Sequence, residues 1–488
     1  MPPMTMQTDP PALRPGPRMP GLDRRNLGPV QVFAQSVSAA GPTAGMAATP
    51  AIAASTAGGE TVWSFVIATA VALLIAGCIG QFTRRMAAAG SLYSLAAKGL
   101  GPAGAFACAC ALLVGYTLLV SAGLAGAAVH LHALFGPAGL AGPATGVATV
   151  LLGAIVAGCA VKGIRLSARL ILLVEGVSIA LILAVYGLLL GGTGFHPPSH
   201  VPQSGQPPGG VGGVAAAVLP ALAAFIGFES AAALGVEARR PFRSVPRAVT
   251  WTAAVVGLMH VCAAAFQVSL PGSARLLPLS DIAAGQRLPW MAALVDAGIA
   301  SSFLACALAG ANVLARVLFS LGTEGIAPRG LCRTHRSHRT PHVAVAVALP
   351  VATALPVIML ACGIPAERVL ELLLQASTVG CLIAYLLVCL AVPFFLRAIG
   401  EATPGPVARA LAVVPVLVLA LGAFAASAPS GPSTLAFATL TGAALAWYVW
   451  LRRRRPAQLS GIGVYDETSL ADVLDPRLPQ ATSQSDCR

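Results

Sequence analysis

The sequence predicts an all-α polytopic membrane protein with twelve transmembrane helices between two polar tails. Three observations predict it. Hydrophobic residues make up 57% of the 488 and charged residues only 10%, against about a quarter charged in a soluble domain. The mean hydropathy is +0.81. The apolar residues fall in runs of membrane-crossing length, ~20 residues, separated by short Arg-bearing loops. Such a composition excludes a disordered chain, a soluble enzyme and a disulfide-stapled secreted module.

Taken in order, the apolar runs lie at residues 28–57, 62–82, 103–133, 143–162, 166–192, 211–236, 246–270, 291–321, 341–362, 368–396, 406–427 and 432–451. Residues 1–27 are Pro-rich and polar, and residues 453–488 open with Arg and turn acidic; both read as disordered tails. Residues 193–210 are Pro/Gly-rich with no Lys or Arg, as an outer loop should be. Residues 86–100 are too short and broken to span, and read as a helix on the inner membrane surface.

The net charge of +13 comes from 30 basic residues, and their positions set topology. With a cytoplasmic N-terminus, the outer loops hold only Arg275, Arg287 and Arg368; the rest lie in tails, inner loops or inner span ends. This alternation predicts both termini in the cytoplasm, in a cytoplasmic (inner) membrane. Aromatics are 6% of the chain with no basic–aromatic stripe, so no nucleic-acid partner is expected. The eleven Cys show no CxxC pair and mostly sit inside apolar runs. They read as small buried hydrophobes, with no metal site and no cofactor.

Two spans are interrupted. The first carries Gly41-Pro42-Thr43-Ala44-Gly45 near its middle, and the sixth carries Pro220, Gly227 and Glu229. They are five spans apart, so the second copy is inverted in the membrane. Broken helices at matching positions of inverted halves point to a transporter's binding site. Free N–H groups at one helix end receive a carboxylate, and free carbonyls at another receive an ammonium. Gly and Pro also serve plain packing in membrane helices.

Few charges lie at membrane depth. Glu175 and Glu229 are candidates for coupling or gating; the alternatives are a protonated carboxyl bonded to a neighbouring helix for Glu175 and a helix cap for Glu229. Ser301 and Ser302 are adjacent hydroxyls that would ligate a small cation with carbonyls of the first break, or simply pack. Arg316 reads as snorkelling to the inner surface, and His260 as a packed polar residue.

The stretches GFESAAALGVEARRPFRSVPRAV (227–249), ANVLARVLFSLGTEGIAPRGL (311–331), RTPHVAV (339–345) and RRMAAAGSLYSLAAKGLGPAGAF (84–106) together resemble the amino acid–polyamine–organocation superfamily of permeases. The most specific element is Gly227, Phe228, Glu229, Glu237, Arg239, Pro241, Pro246, Arg247 and Ala248. The resemblance covers about residues 28–450. It implies a five-plus-five inverted repeat of the leucine-transporter kind, residues 28–192 and 211–400, with two extra helices in 401–452. It also implies a substrate site between the broken helices. There the family's Gly-Ser-Gly falls on Thr43-Ala44-Gly45, after Gly41, and the acceptor carbonyls fall near Ala223, Phe225, Ile226 and Gly227. Relatives with a Lys midway along the fifth span link it to proton coupling; this span has no Lys.

The reading is a non-enzymatic secondary transporter that moves an amino acid, neutral by the pocket's lack of charge, by alternating access. A polyamine or small-amine permease is the alternative. A transport-dead sensor and a polytopic membrane enzyme are the further alternatives: the first would need a large output domain, and the second paired carboxylates or a His cluster at the membrane surface, where the inner loops are Arg-rich with few acids. The expected partners are the substrate, a coupling proton or sodium ion, and membrane lipid.

A reporter fused after residue 200 is expected to read outside, and one fused after residue 333 inside. The reverse at either point would overturn the span map.

Overall fold

The computed structural model describes residue 22 and residues 24–134, 143–193, 210–269, 277–285, 289–427 and 432–463. Among these, every regular element is a helix, and one isolated bridge joins Leu27 to Ala238. The first helices are α1 (Pro29–Ala40), α2 (Pro42–Ala57), α3 (Thr61–Thr83), α4 (Leu92–Ala133), α5 (Pro143–Lys162), α6 (Ile164–Thr193) and α7 (Val211–Ala223). They are followed by α8 (Pro241–Ser269), α9 (Leu279–Gly285), α10 (Pro289–Thr323), α11 (His342–Ala361), α12 (Ala366–Ala398), α13 (Pro404–Ser427), α14 (Pro432–Arg454) and α15 (Pro456–Ser460).

Nine stretches of the described residues are long and apolar enough to cross a membrane. The first, Pro29–Thr83, holds α1, α2 and α3 together. The chain is therefore a helical, multi-pass membrane protein. Large apolar side chains remain exposed along its outer faces, including Leu172, Leu173, Val177 and Leu183 on α6 and Leu151 and Ile155 on α5. In a bilayer those faces meet acyl chains at no cost.

The helices pack in two groups. In one, α3, α7 and α8 gather around α1 and α2; in the other, α4 packs on α10 and α12, with α5, α6 and α11 beside them. Small residues bring α4 and α12 together: a Cβ added at Gly380 would lie 2.8 Å from the backbone of Gly115. Lipid tails are as apolar as Leu, so van der Waals contact of this kind carries helix association.

Both interruptions are present, and they touch. α1 ends at Gly41, whose φ of +56° is left-handed, and Pro42 starts α2 at a position where its missing N–H is harmless. The break is a single residue. Thr43, Ala44 and Gly45 form the first turn of α2 rather than a non-helical segment, because Pro at the first position restarts the helix at once. The second break is longer. α7 stops at Ala223, residues 224–229 are turns, and a 3₁₀ segment covers Ser230–Leu234. Gly227 (φ +101°) packs so tightly on the first break that an added Cβ would lie 2.5 Å from the carbonyl oxygen of Ala39.

Other expectations change in detail. Only residues 92–100 of the 86–100 stretch are helical, running into α4 across a kink at Gly101 (φ +69°). Leu92, Tyr93, Leu95 and Ala96 are buried, so this piece is part of the core and does not lie on the membrane surface. After α14 the chain stays folded through Gly463, with Leu459 and Ile462 buried. The loop over 194–209 and the tails 1–21 and 464–488 lie outside the described residues.

Gly227→Ala is expected to cost at least about 2 kcal/mol, from a positive φ that Ala tolerates poorly plus the clash at Ala39. Gly59→Ala, where an added Cβ meets nothing within 4 Å, is the control. Thermal unfolding of the purified variants checks both.

Candidate substrate site between the broken helices

Glu229 follows the second break and is fully buried. Two phenols hold its carboxylate. Tyr116 on α4 donates to Oε1 at 2.6 Å, and Tyr385 on α12 donates to Oε2. The Tyr385 hydroxyl also accepts the Gly227 N–H at 3.3 Å. The carboxylate therefore ties the break to both helices of the Gly115–Gly380 contact. It caps nothing: Glu229 makes no side-chain hydrogen bond to the 3₁₀ segment that it precedes.

Glu175, on α6, faces the start of α2. Its Oε1 accepts from Ser302 Oγ on α10 at 3.0 Å and from Thr43 Oγ1 at 3.3 Å. Its Oε2 is buried with no hydrogen-bond partner. The Ala44 N–H points to Ser302 Oγ at 3.5 Å, while the Gly45 N–H closes onto Gly41 at 3.0 Å. The helix end expected to receive an anion thus already faces a carboxylate of the protein.

Ser301 and Ser302 do not act as a pair. Adjacent helical residues point about 100° apart, and Ser301 turns back onto the Gly298 carbonyl at 2.9 Å. Only Ser302 reaches Glu175. That carbonyl also accepts Ser178 Oγ of α6 at 2.5 Å, which joins α6 to α10 one turn beyond Glu175.

The carbonyls expected as acceptors lie along the second break. The carbonyls of Ala223, Phe225 and Gly227 close turns onto the N–H groups of Ile226, Phe228 and Ser230, each keeping a second lone pair. Phe225 lies tilted against His260 at 5.7 Å, and His260 stacks on Phe65 at 5.9 Å. His260 Nδ1 lies 2.7 Å from the Val256 carbonyl, and Nε2 is buried without a partner against Gly45. His260 is a packed residue, as the sequence reads it.

α1 is fastened to its surroundings below Gly41. Gln35 donates to the Ala309 carbonyl at 2.8 Å, Ser230 Oγ donates to the Gln35 carbonyl at 3.0 Å, and the Ala231 N–H donates to Ser36 Oγ at 2.9 Å. Arg316 does not snorkel. Burial and a partner hold it inside: its Nε and Nη2 donate to both oxygens of Glu237 at 2.6 and 3.0 Å, and Nη1 donates to the Asn312 carbonyl. The Glu237 carbonyl in turn accepts the N–H groups of Asn26 and Leu27. Among the described residues, no three His, Cys, Asp or Glu side chains converge to hold a metal ion.

Tyr116, Tyr385 and Ser178 were not singled out from the sequence. The signal was there for the two phenols: the chain has only six Tyr, and a hydroxyl inside an apolar span needs a partner.

A helical bundle with two broken helices meeting over buried carboxylates defines a membrane transporter class. Residues 31–428 match the amino acid permease family, and the chain belongs to that family. It is similar to a branched-chain amino acid permease of Bacillus subtilis, 26% identical over 310 residues that span 59% of this chain and 65% of that protein. It is 28% identical over 384 residues to a branched-chain amino acid permease of Lactococcus lactis, covering 72% of this chain and 78% of the relative. An aromatic amino acid transport protein of Corynebacterium glutamicum is 25% identical over 300 residues, 58% of this chain and 63% of that protein.

Arg316→Ala leaves Glu237 buried and unpaired, with an expected loss of about 3–5 kcal/mol. Arg316→Met combined with Glu237→Gln is expected to recover most of it. Unfolding midpoints of the two variants against the parent check this; equal loss in both would mean that the pair does not carry the effect.

Proposed function

We propose that this chain carries a neutral amino acid across the cytoplasmic membrane by alternating access, with proton movement through Glu175. The twelve-span, inverted-repeat architecture with cytoplasmic termini is part of the reading. Its basis is the alternation of basic residues and the two breaks five spans apart. The single observation that carries it is the meeting of the two breaks: Gly227 of the second packs on the Ala39 carbonyl, two residues before Gly41 of the first.

The substrate's carboxylate goes to the N-terminal turn of α2, where N–H groups and the positive end of the helix favour an anion. Its ammonium goes to the carbonyls of the second break. Glu175 already faces that turn through Thr43 and Ser302. A second carboxylate arriving there would set two like charges side by side in a low-dielectric site, and a proton on Glu175 removes one of them. Substrate entry and proton uptake are then one event. Glu229, held by Tyr116 and Tyr385, gates: its bonds join the second break to α4 and α12 and must rearrange when the break moves. The surrounding walls are small or apolar, with Ala44, Ala223, Phe225 and Ile226. That favours a neutral side chain, in keeping with relatives named for branched-chain and aromatic amino acids. A polyamine is the second reading, since Glu175 supplies an unpaired carboxylate oxygen.

Uptake into proteoliposomes tests both parts. Leucine-like or aromatic amino acids are expected to outcompete glutamate and spermidine, and the reverse order would overturn the substrate class. Glu175→Gln is expected to abolish stimulation by an inward proton gradient, and Glu229→Gln to slow turnover. Unchanged rate and pH dependence in both variants would remove the carboxylates from the mechanism.

A further inference from the structure

Outside the site, one open groove of about 570 Å³ lies between α1 and the start of α8. Its floor is apolar, with Val30, Phe33 and Trp251; its rim carries Arg240, Arg243 and Arg247. Arg243, Arg247 and Trp251 recur at spacings of four, so they share one face of the helix, and Arg240 lies just ahead of it. All three Arg are exposed, and none has a side-chain hydrogen bond or ion pair to a described residue.

The position of these charges is unfavourable as the chain stands. Arg240 directly precedes α8, and Arg243 and Arg247 lie in its first two turns, where the helix dipole is positive and an anion is stabilising. The first turn holds no acid. The nearest carboxylate on the same connection, Glu237, is taken by Arg316. Arg453 and Arg454 make a useful contrast. They line a groove of similar size on α14, but they sit at that helix's C-terminal end, where free carbonyls offset their charge.

We propose that the α1–α8 groove is a binding site for an anionic glycerophospholipid. The headgroup phosphate takes the guanidiniums of Arg240, Arg243 and Arg247 at the positive end of α8. An acyl chain lies along Val30, Phe33 and Trp251. The apolar floor is what selects a lipid over a soluble phosphate. Basic pockets between helices at a membrane face have this headgroup chemistry, and an exposed Trp just below the charges matches the depth of the interface. The lipid would bridge α1, which hinges at Gly41, to the helix it packs against.

The test uses full-length protein purified in a neutral detergent, with thermal unfolding followed on adding phosphatidylglycerol, phosphatidylcholine or inorganic phosphate. Phosphatidylglycerol is expected to raise the midpoint, and the other two are not. Arg243→Gln with Arg247→Gln is expected to weaken phosphatidylglycerol binding about 10- to 30-fold; Arg453→Gln with Arg454→Gln leaves it unchanged. A second measurement needs no variant: phosphatidylglycerol, but not phosphatidylcholine, should protect Arg240, Arg243 and Arg247 from phenylglyoxal. Equal effects of the two lipids, an inorganic phosphate effect as large as that of phosphatidylglycerol, or no protection at these three residues would overturn the proposal.

Discussion

A helix interrupted inside an apolar bundle leaves backbone N–H and C=O groups where no lipid can receive them. The rest of this structure is arranged around that constraint. Gly41 and Gly227 allow the two interruptions to form, and their contact at Ala39 gives each break a polar neighbour. Side chains complete the satisfaction: Tyr385 takes the Gly227 N–H, Ser36 takes the Ala231 N–H, and Ser302 faces the Ala44 N–H. These partners come from α1, α10 and α12, so the breaks fix how the two helix groups meet. Neither group could slide along the other without leaving several backbone groups bare, at about 1–3 kcal/mol for each.

The two buried carboxylates extend this arrangement in different ways. Glu229 has both oxygens filled by phenols from helices that themselves touch through Gly115 and Gly380. Glu175 has one oxygen filled and one bare. A fully satisfied carboxylate is a joint, and a half-satisfied one is a place where another group can enter. The proposed roles of gate and proton carrier rest on that difference and not on depth in the membrane.

Sequence patterns that express a local rule were legible, and those that depend on a distant partner were not. The breaks were visible because Gly41-Pro42 and Pro220 with Gly227 act on their own backbone. The extent of the first break was misjudged because Pro42, read as a disruptor, is also a good first residue of a helix. Arg316 read as snorkelling because its own span offers no partner, whereas Glu237, 79 residues earlier, supplies a bidentate one. Ser301 and Ser302 looked like a pair along the chain and diverge in space through the 100° step of a helix. Tyr116 and Tyr385 are 269 residues apart in sequence and are joined only by a carboxylate on a third element.

The same buried pair explains why the start of α1 stays in place. Glu237 gives its side-chain oxygens to Arg316 and its carbonyl to the N–H groups of Asn26 and Leu27, and the Leu27 carbonyl accepts from Arg239. One residue thereby holds α10, the segment after the second break and the segment leading into α1. Gln35 adds a second tie from α1 to α10 at Ala309. Gly41 itself is in ordinary contact with α10, since an added Cβ there would lie 3.6–3.8 Å from Cys306 and Ser302. α1 is thus fastened at both ends, at its start by the Glu237 cluster and at its hinge by the second break. Swinging it outward requires release of the Glu237 cluster and of the contact at Gly227.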